Sequence, residues 1–128
     1  MVLLDVSPKS ILIVDDDMSI LETLDFILTA DGYTVFLAAN GEDGLDIIKS
    51  EWIDCIILDL RMPKVSGYVF ANLAISNSKN KDVKIMLLTG ESLMAGQCTL
   101  NVANVSRKIT KPFELDDLRA SLADLVKA

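Results

Sequence analysis

Five short apolar runs, separated by longer stretches with helical spacing, constrain the fold of this chain more than any other feature of its sequence. The runs are Ile11-Leu12-Ile13-Val14, Thr34-Val35-Phe36-Leu37, Ile53 to Leu58, Ile85-Met86-Leu87-Leu88 and Val105 to Ile109. Regular alternation of strands and helices is typical of βαβ units, whose crossover helices connect parallel strands. We therefore expect an α/β fold with five strands in one parallel sheet.

The five predicted strands differ in hydrophobicity. Parallel strands that are buried on both faces have nearly continuous hydrophobic sequence, and the first, third and fourth runs have this character. The last run carries Arg107 and Lys108 in its middle, and charged side chains are better tolerated at the edge of a sheet. We expect the first, third and fourth strands at the centre of the sheet and the last strand at its edge.

Helical spacing fills the segments between the runs. The first helix is predicted to stop at Asp31-Gly32, after an apolar stripe made of Ile20, Leu21, Leu24, Ile27 and Leu28. The other predicted helices extend from about Glu42 to Ser50, from about Gly67 to Ser76, within Glu91 to Ala103, and from about Glu114 to Lys127. Their apolar positions, expected to face the sheet, are Leu45 and Ile48, then Val69, Phe70 and Leu73, and finally Leu115, Leu118, Leu122 and Leu125. Gly96 weakens the fourth helix, because an interior glycine costs about 1 kcal/mol relative to alanine.

The alternating pattern occupies almost the whole chain of 128 residues, a length typical of one domain. We expect an N-terminal extension over residues 1–9 and a single domain over residues 10–128. No apolar run approaches the roughly 20 residues of a membrane-spanning helix, and the first residues lack the pattern of a secretory signal. The sequence therefore predicts a cytoplasmic protein without membrane insertion.

Composition excludes several kinds of chemistry. The chain has no histidine, which rules out Ser-His-Asp and Cys-His mechanisms, histidine-based zinc sites and a phosphohistidine on this chain. Its net charge of −7 argues against direct nucleic-acid binding, which depends on lysine and arginine. Cys55 and Cys98 have no CxxC spacing, and we expect buried or inert thiols. Neither a GxGxxG loop nor a P-loop motif is present, so no glycine-loop nucleotide site is predicted.

Polar and ionisable residues follow four of the five predicted strands. Asp15-Asp16-Asp17 follows the first strand, Asp59 the third, Thr89 the fourth, and Thr110-Lys111-Pro112 the fifth. Because ligands bind at the carboxyl ends of the strands in an open parallel sheet, we expect these side chains to converge. Two carboxylates about 4 Å apart repel by roughly 4 kcal/mol at an effective dielectric of 20, so a cation must offset the charge of Asp15, Asp16 and Asp59. Oxygen ligands favour Mg²⁺, and Lys111 would add a second positive charge.

A carboxylate beside a bound magnesium ion can attack a phosphoryl donor and form an aspartyl phosphate. Charge then develops on the phosphoryl oxygens, where Lys111 and the Thr89 hydroxyl would stabilise it. Each residue also has a simpler interpretation: Asp17 as a helix N-cap, Thr89 as an ordinary strand-end threonine and Lys111 as a surface lysine. For Asp17 the capping interpretation is preferred. For the others, their joint placement at strand ends favours a phosphoryl-transfer site.

Together these residues make the chain resemble the receiver domain of bacterial two-component response regulators over essentially its full length. The segments that carry the resemblance are Ile11 to Asp17, Leu58 to Pro63 with Gly67, Leu88-Thr89-Gly90, and Lys111-Pro112-Phe113. The resemblance implies a (βα)₅ flavodoxin-like fold, which is a doubly wound parallel five-stranded sheet with strand order 2-1-3-4-5, over residues 10–128.

The resemblance also implies a phospho-acceptor switch rather than a turnover enzyme, with Asp59 as the acceptor. The implied Mg²⁺ ligands are Asp16 directly, Asp15 mainly through water, Asp59 itself and the backbone carbonyl of Arg61. Thr89 and Lys111 would contact the phosphoryl group. The donor would be a phosphohistidine on a sensor histidine kinase or a histidine phosphotransfer protein. The face formed by the fourth predicted helix, the last strand and the last helix would then change shape to control a partner.

Several positions near the site depart from the family pattern or vary within it. Lys108 stands three residues before Lys111, where the family often has a tyrosine or phenylalanine that swings inward with the threonine. Gly90 stands where the family has alanine or another small residue, which keeps access to Asp59 open. Arg61 and Glu91 occupy positions that commonly tune the lifetime of the aspartyl phosphate, and we hypothesise that they pair.

Two other functions fit parts of the pattern. Asp15-x-Asp17 resembles the nucleophile and acid of haloacid-dehalogenase-like phosphatases, which would make Asp15 the phosphorylated residue. Such enzymes usually need a longer chain, and Ser19 replaces the motif's usual threonine or valine. The other alternative is a binding module with the receiver fold that no longer uses phosphorylation. Lys108 favours this alternative, whereas the set of three acids with Thr89 and Lys111 disfavours it.

Overall fold

The computed structural model describes residues 8–59, 67–90 and 105–127 of the chain. The strands within these ranges are β1 (Ser10–Val14), β2 (Thr34–Ala38), β3 (Cys55–Asp59), β4 (Lys84–Thr89) and β5 (Val105–Thr110). The helices are α1 (Met18–Ala30), α2 (Gly41–Ser50), α3 (Gly67–Asn77) and α4 (Leu115–Leu125). The predicted helix within Glu91 to Ala103 lies outside the described residues, as does Cys98.

The five strands form one parallel sheet in the order β2-β1-β3-β4-β5. This order confirms the expected fold class. As predicted, β1, β3 and β4 are central and β5 is at an edge. The edge position accommodates the two basic residues of β5, because Arg107 pairs with Asp124 of α4 while Lys108 is exposed.

Alternate residues of the central strands supply two apolar cores, one on each face of the sheet. The first core joins Leu12, Val14, Ile56, Leu58, Ile85 and Leu87 to buried residues of α2 and α3. The second joins Ile11, Ile13, Cys55, Ile57, Met86 and Leu88 to buried residues of α1 and α4. Because both faces are covered by helices, the apolar residues of the central strands are buried, which explains the continuous hydrophobicity of these strands.

Helix α1 begins and ends with local signals that the sequence predicts. Its N-cap is Asp17, whose Oδ1 accepts a hydrogen bond from the Ser19 amide at 2.9 Å. At the other end the Asp31 amide donates to the Ile27 carbonyl at 3.0 Å. Gly32 then adopts a φ of +101°, a conformation in which a side chain would be strained. The predicted cap and the predicted stop are both confirmed.

Helix α3 presents a different face to the core than its large apolar residues predict. Phe70 is buried as expected, but Val69 and Leu73 are 51% and 39% exposed. The two small residues Ala71 and Ala74 are buried instead. Helices α2 and α3 pack closely at Phe70, since a Cβ atom on Gly44 would lie only 2.7 Å from Cε1 of the Phe70 ring.

Other sequence predictions concern cysteine chemistry, the N-terminal extension and the membrane. Cys55 is buried, and this burial raises the pKa of its thiol to about 12, as expected of an inert thiol. The extension over residues 1–9 stays a prediction, because residues 1–7 lie outside the described ranges. Within those ranges, no helix is both long enough and apolar enough to cross a membrane.

Candidate functional site

The predicted site residues lie where the strands end at the carboxyl edge of the sheet. Val14 of β1 is in register with Leu58 of β3, so the next residues, Asp15 and Asp59, emerge side by side from adjacent strands. Thr89 ends β4, and its backbone is in register with Thr110 of β5. Lys111 follows directly. The sheet register therefore brings the ends of β1, β3, β4 and β5 to one edge.

Three carboxylates meet at this edge. One carboxylate oxygen from each of Asp15, Asp16 and Asp59 lies within 4.8 Å of the other two. Asp15 is fully buried and Asp59 is 7% exposed, whereas Asp16 is open to solvent. The predicted convergence of the three acids is thus present, with two of them largely removed from water.

Lys111 supplies the positive charge that the acids require. Its Nζ donates a hydrogen bond to Asp15 Oδ2 at 2.9 Å and lies 3.4 Å from Asp59 Oδ2. Burial alone would lower the pKa of Lys111, but the hydrogen bond to Asp15 and the charges of Asp15 and Asp59 outweigh burial and raise it. Lys111 is therefore a firmly charged ammonium between two carboxylates.

Asp15 is the most buried acid of the three. Burial raises its pKa above the ordinary value, and the nearby charge of Asp59 adds to the increase. The Asp17 amide, which donates to Asp15 Oδ1 at 2.9 Å, and the Lys111 ammonium act in the opposite direction. Both oxygens of Asp15 thus accept hydrogen bonds. Sequence reasoning gave Asp17 only its capping role and missed this amide contact, although the two-residue spacing of the aspartates allows such a turn.

Some predicted residues are described only in part or not at all. Of Thr89 the structure describes the backbone alone, so the proposed hydroxyl contact stays a prediction. Arg61 and Glu91 lie outside the described residues, and with them the carbonyl ligand and the hypothesised pair. Gly90 is partly buried beside the site, whereas Lys108 is exposed.

The chain matches the family model of the response regulator receiver domain over residues 11–123. It belongs to this family.

Individual relatives agree with this assignment. The response regulator MprA of Mycolicibacterium vanbaalenii is 32% identical over 120 residues, which cover 94% of this chain and 51% of that protein. A probable transcriptional regulator, ycf27, of Porphyridium aerugineum is 34% identical over 119 residues, covering 93% of this chain and 48% of that protein. The receiver domain described here thus spans about half the length of these curated relatives.

A solved receiver domain shares the fold. The CheY-like response regulator receiver domain protein from Methanospirillum hungatei is 29% identical to this chain, with a TM-score of 0.85 and coverage of 94% of both chains. The agreement confirms the resemblance inferred from the sequence.

The acidic cluster fits the metal site of a receiver domain. Its donors are carboxylate oxygens, which a hard divalent cation such as Mg²⁺ prefers over nitrogen or sulfur. One cluster member, Asp16, is exposed, so the site is open on the side from which an ion and its water would enter. The donor chemistry and the excess of negative charge both suit a divalent cation.

Proposed function

We propose that this receiver domain accepts a phosphoryl group on Asp59 in a Mg²⁺-dependent reaction and acts as a switch in two-component signalling. The observation that carries the proposal is the position of Asp59. It ends β3 with its carboxylate near those of Asp15 and Asp16, and 3.4 Å from the Lys111 ammonium. A nucleophilic carboxylate, a set of oxygen ligands and a fixed cation are the parts that phosphoryl transfer requires.

The exposure of the acids favours Asp59 over Asp15 as the nucleophile. Asp15 is fully buried and both its oxygens accept hydrogen bonds, from Lys111 and from the Asp17 amide. Asp59 retains some exposure at the same edge. This difference argues against the phosphatase alternative, which needs Asp15 as the phosphorylated residue.

The transfer step is a substitution at phosphorus. A carboxylate oxygen of Asp59 attacks the phosphorus of a phosphohistidine on a sensor histidine kinase or a histidine phosphotransfer protein. The new O–P bond forms as the P–N bond of the donor breaks, and the imidazole leaves with the electron pair of that bond. Lys111 then balances the charge on the phosphoryl oxygens, and the Thr89 hydroxyl is the predicted donor to one of them.

The metal would be held by Asp16 and Asp59 directly, by Asp15 mainly through water, and by the backbone carbonyl of Arg61. When bound, Mg²⁺ supplies charge neutralisation at the carboxylates and at the phosphoryl oxygens. Lys111 contributes the same kind of stabilisation from the protein side. Its contacts with Asp15 and Asp59 position it for a phosphoryl group on Asp59.

The partners follow from this role. The donor protein would act in the cytoplasm, and the output would pass through the face that contains β5, α4 and the predicted helix within Glu91 to Ala103. Lys108 of β5 takes the place of the usual aromatic residue on this face and is exposed. We therefore propose that Lys108 contacts the downstream partner from the surface rather than swinging inward.

Mass spectrometry after incubation with acetyl phosphate and MgCl₂ tests the proposal. The wild-type chain should gain one phosphoryl group, located on Asp59, and Asp59→Asn should gain none. Asp17→Asn is the matched control, because Asp17 is a neighbouring acid whose carboxylate caps α1, and this variant should be labelled like the wild type. Label on Asp15 with repeated turnover of a phosphomonoester would support the phosphatase instead. An unlabelled wild-type chain would support the binding module.

A further inference from the structure

A second cleft lies at the opposite edge of the sheet, where the strands begin. It is lined by residues that precede or open β1, β3 and β4 and by the end of α4, and its volume is about 390 Å³. Small-molecule sites usually measure about 300–1,000 Å³, so the cleft suits a ligand at the small end of this range. The residues of the phosphorylation site take no part in it.

Hydrogen bonds hold the floor of the cleft in place. Asp54 accepts from the Ser10 amide at 2.8 Å and from the Trp52 indole Nε1–H at 3.1 Å. Asn80, which is 8% exposed, donates to the Ile53 carbonyl at 3.1 Å and accepts from the Asp82 amide at 2.9 Å. The loops before β1, β3 and β4 are thus tied together, and the cleft is preformed.

Three lysines surround the cleft in a chain whose net charge is −7. They are Lys9, Lys84 and Lys127, and their ammonium groups form no ion pair or hydrogen bond with the residues that the structure describes. The end of helix α4 accounts for Lys127, because a helix C-terminus attracts cations. It does not account for Lys9 or Lys84, which precede and begin strands. Of the two acids in the lining, Asp54 is already occupied by donors, and Asp82 is exposed.

Trp52 adds an aromatic surface to the cleft that the three lysines line. Its side chain is 55% exposed, although it is the one tryptophan of the chain and a large apolar group. Its indole N–H is fixed by Asp54, so the ring is oriented. Leu125 and Val126 provide further apolar wall. A flat ring can stack on an exposed indole face, and an anionic group can bind the lysines.

We propose that this amino-edge cleft binds a nucleoside phosphate, with the base stacked on Trp52 and the phosphate held by Lys9, Lys84 and Lys127. Base stacking on aromatic side chains is a sequence-tolerant source of affinity, and lysine binds phosphate as a point charge. The site uses side chains instead of a glycine-rich loop, which is why no nucleotide motif marks it in the sequence. The volume favours a mononucleotide.

Fluorescence titration tests the site directly, because Trp52 is the one fluorescent indole of the chain. AMP added to the full chain in EDTA-containing buffer should quench Trp52 in a saturable manner. Lys84→Gln and Lys9→Gln should each weaken the apparent affinity about tenfold, the effect of losing one charge-assisted hydrogen bond. Lys49→Gln, an exposed lysine of α2 outside the cleft, should bind AMP like the wild type.

Two further ligands and one further variant test the two parts of the proposed site separately. Adenosine and pyrophosphate should each bind more weakly than AMP, because each lacks one of the two recognised parts. Asp59→Asn should bind AMP normally, which separates this site from the phosphorylation site. Equal binding of pyrophosphate and AMP would overturn the stacking assignment. No saturable quenching, or equal losses in Lys84→Gln and Lys49→Gln, would overturn the site.

Discussion

At its carboxyl edge the sheet gathers acids against one another, whereas at its amino edge Asp31 and Asp54 each have donors of their own. Asp15 lies beside Asp59. The pKa of Asp15 is raised mainly by burial, and the charge of Asp59 raises it further. Asp31, at the end of α1 before β2, accepts two hydrogen bonds from Arg119 at 2.8 and 2.9 Å, and these hydrogen bonds lower its pKa. The pKa of an aspartate is thus raised at the carboxyl edge of the sheet and lowered at its amino edge.

The difference separates crowded acids from acids that hold the fold together. Crowded carboxylates destabilise the free protein and are stabilised by a cation, so the carboxyl edge suits a bound cation. Single acids with donors of their own, such as Asp54 and Asp31, join segments that are distant in sequence. This division predicts that substitutions of the same kind at the two edges have unequal effects.

The largest effect is expected for Lys111→Met, which leaves Asp15 and Asp59 without their shared cation. Removing one partner of a buried ion pair typically costs 3–5 kcal/mol, and partial exposure of Lys111 places the expected loss at about 3 kcal/mol. Urea unfolding in EDTA measures the change. Lys84→Met at the amino edge is the matched control and should stay within about 0.5 kcal/mol of the wild type.

A double variant checks the cause of this loss. Asp15→Asn in the Lys111→Met background removes one of the two buried negative charges and should restore most of the stability. If the double variant were as unstable as Lys111→Met alone, lost packing of the lysine stem would explain the result, and the contrast between the edges would lose its electrostatic basis.

A slightly smaller effect is expected from magnesium itself. An ion that binds only the folded chain raises the free energy of unfolding by about 2.7 kcal/mol at one hundred times its Kd. Asp16→Asn should reduce this gain strongly, because it removes one negative charge from the acidic cluster at an exposed position. Asp82→Asn at the amino edge should keep it. An equal gain in both variants would place the ion elsewhere.

The fold and the site were predictable where one physical cause dominates the sequence. Burial on both faces makes β1, β3 and β4 continuously apolar, which identifies them as central strands. Asp15 and Asp59 then had to emerge together, because β1 and β3 are neighbours and in register. The capping of α1 by Asp17 was also predictable, since it depends on residues close in sequence.

Other features depend on packing or on distant partners, which local sequence does not encode. The predicted buried face of α3 was wrong at Val69 and Leu73, which are exposed. The residues that a helix buries depend on its neighbours, as the contact of Phe70 with Gly44 of α2 illustrates. The pair of Arg119 with Asp31 joins residues 88 positions apart. The amino-edge cleft combines Lys9, Trp52 and Lys84 from three separate segments, so no single segment carries a recognisable pattern.

The smallest predicted effect concerns Asp31→Asn, which tests whether an acid at the amino edge stabilises the fold. Because Arg119 is exposed and solvent screens its ion pair with Asp31, the loss near neutral pH should be much smaller than that of Lys111→Met. The pKa of Asp31 is lowered from 3.8 in the folded state, so its contribution is present above pH 3.8 and is lost as the pH falls through the lower folded value. Urea unfolding at several pH values should therefore show the free energies of unfolding of Asp31→Asn and the wild type converging only below about pH 3.8. The control Asp46→Asn, which changes an exposed acid of α2, should match the wild type at every pH. If the stability difference between Asp31→Asn and the wild type persisted unchanged in acid, Asp31 would act through a neutral hydrogen bond. The contrast between a raised pKa at the carboxyl edge and a lowered pKa at the amino edge would then not hold.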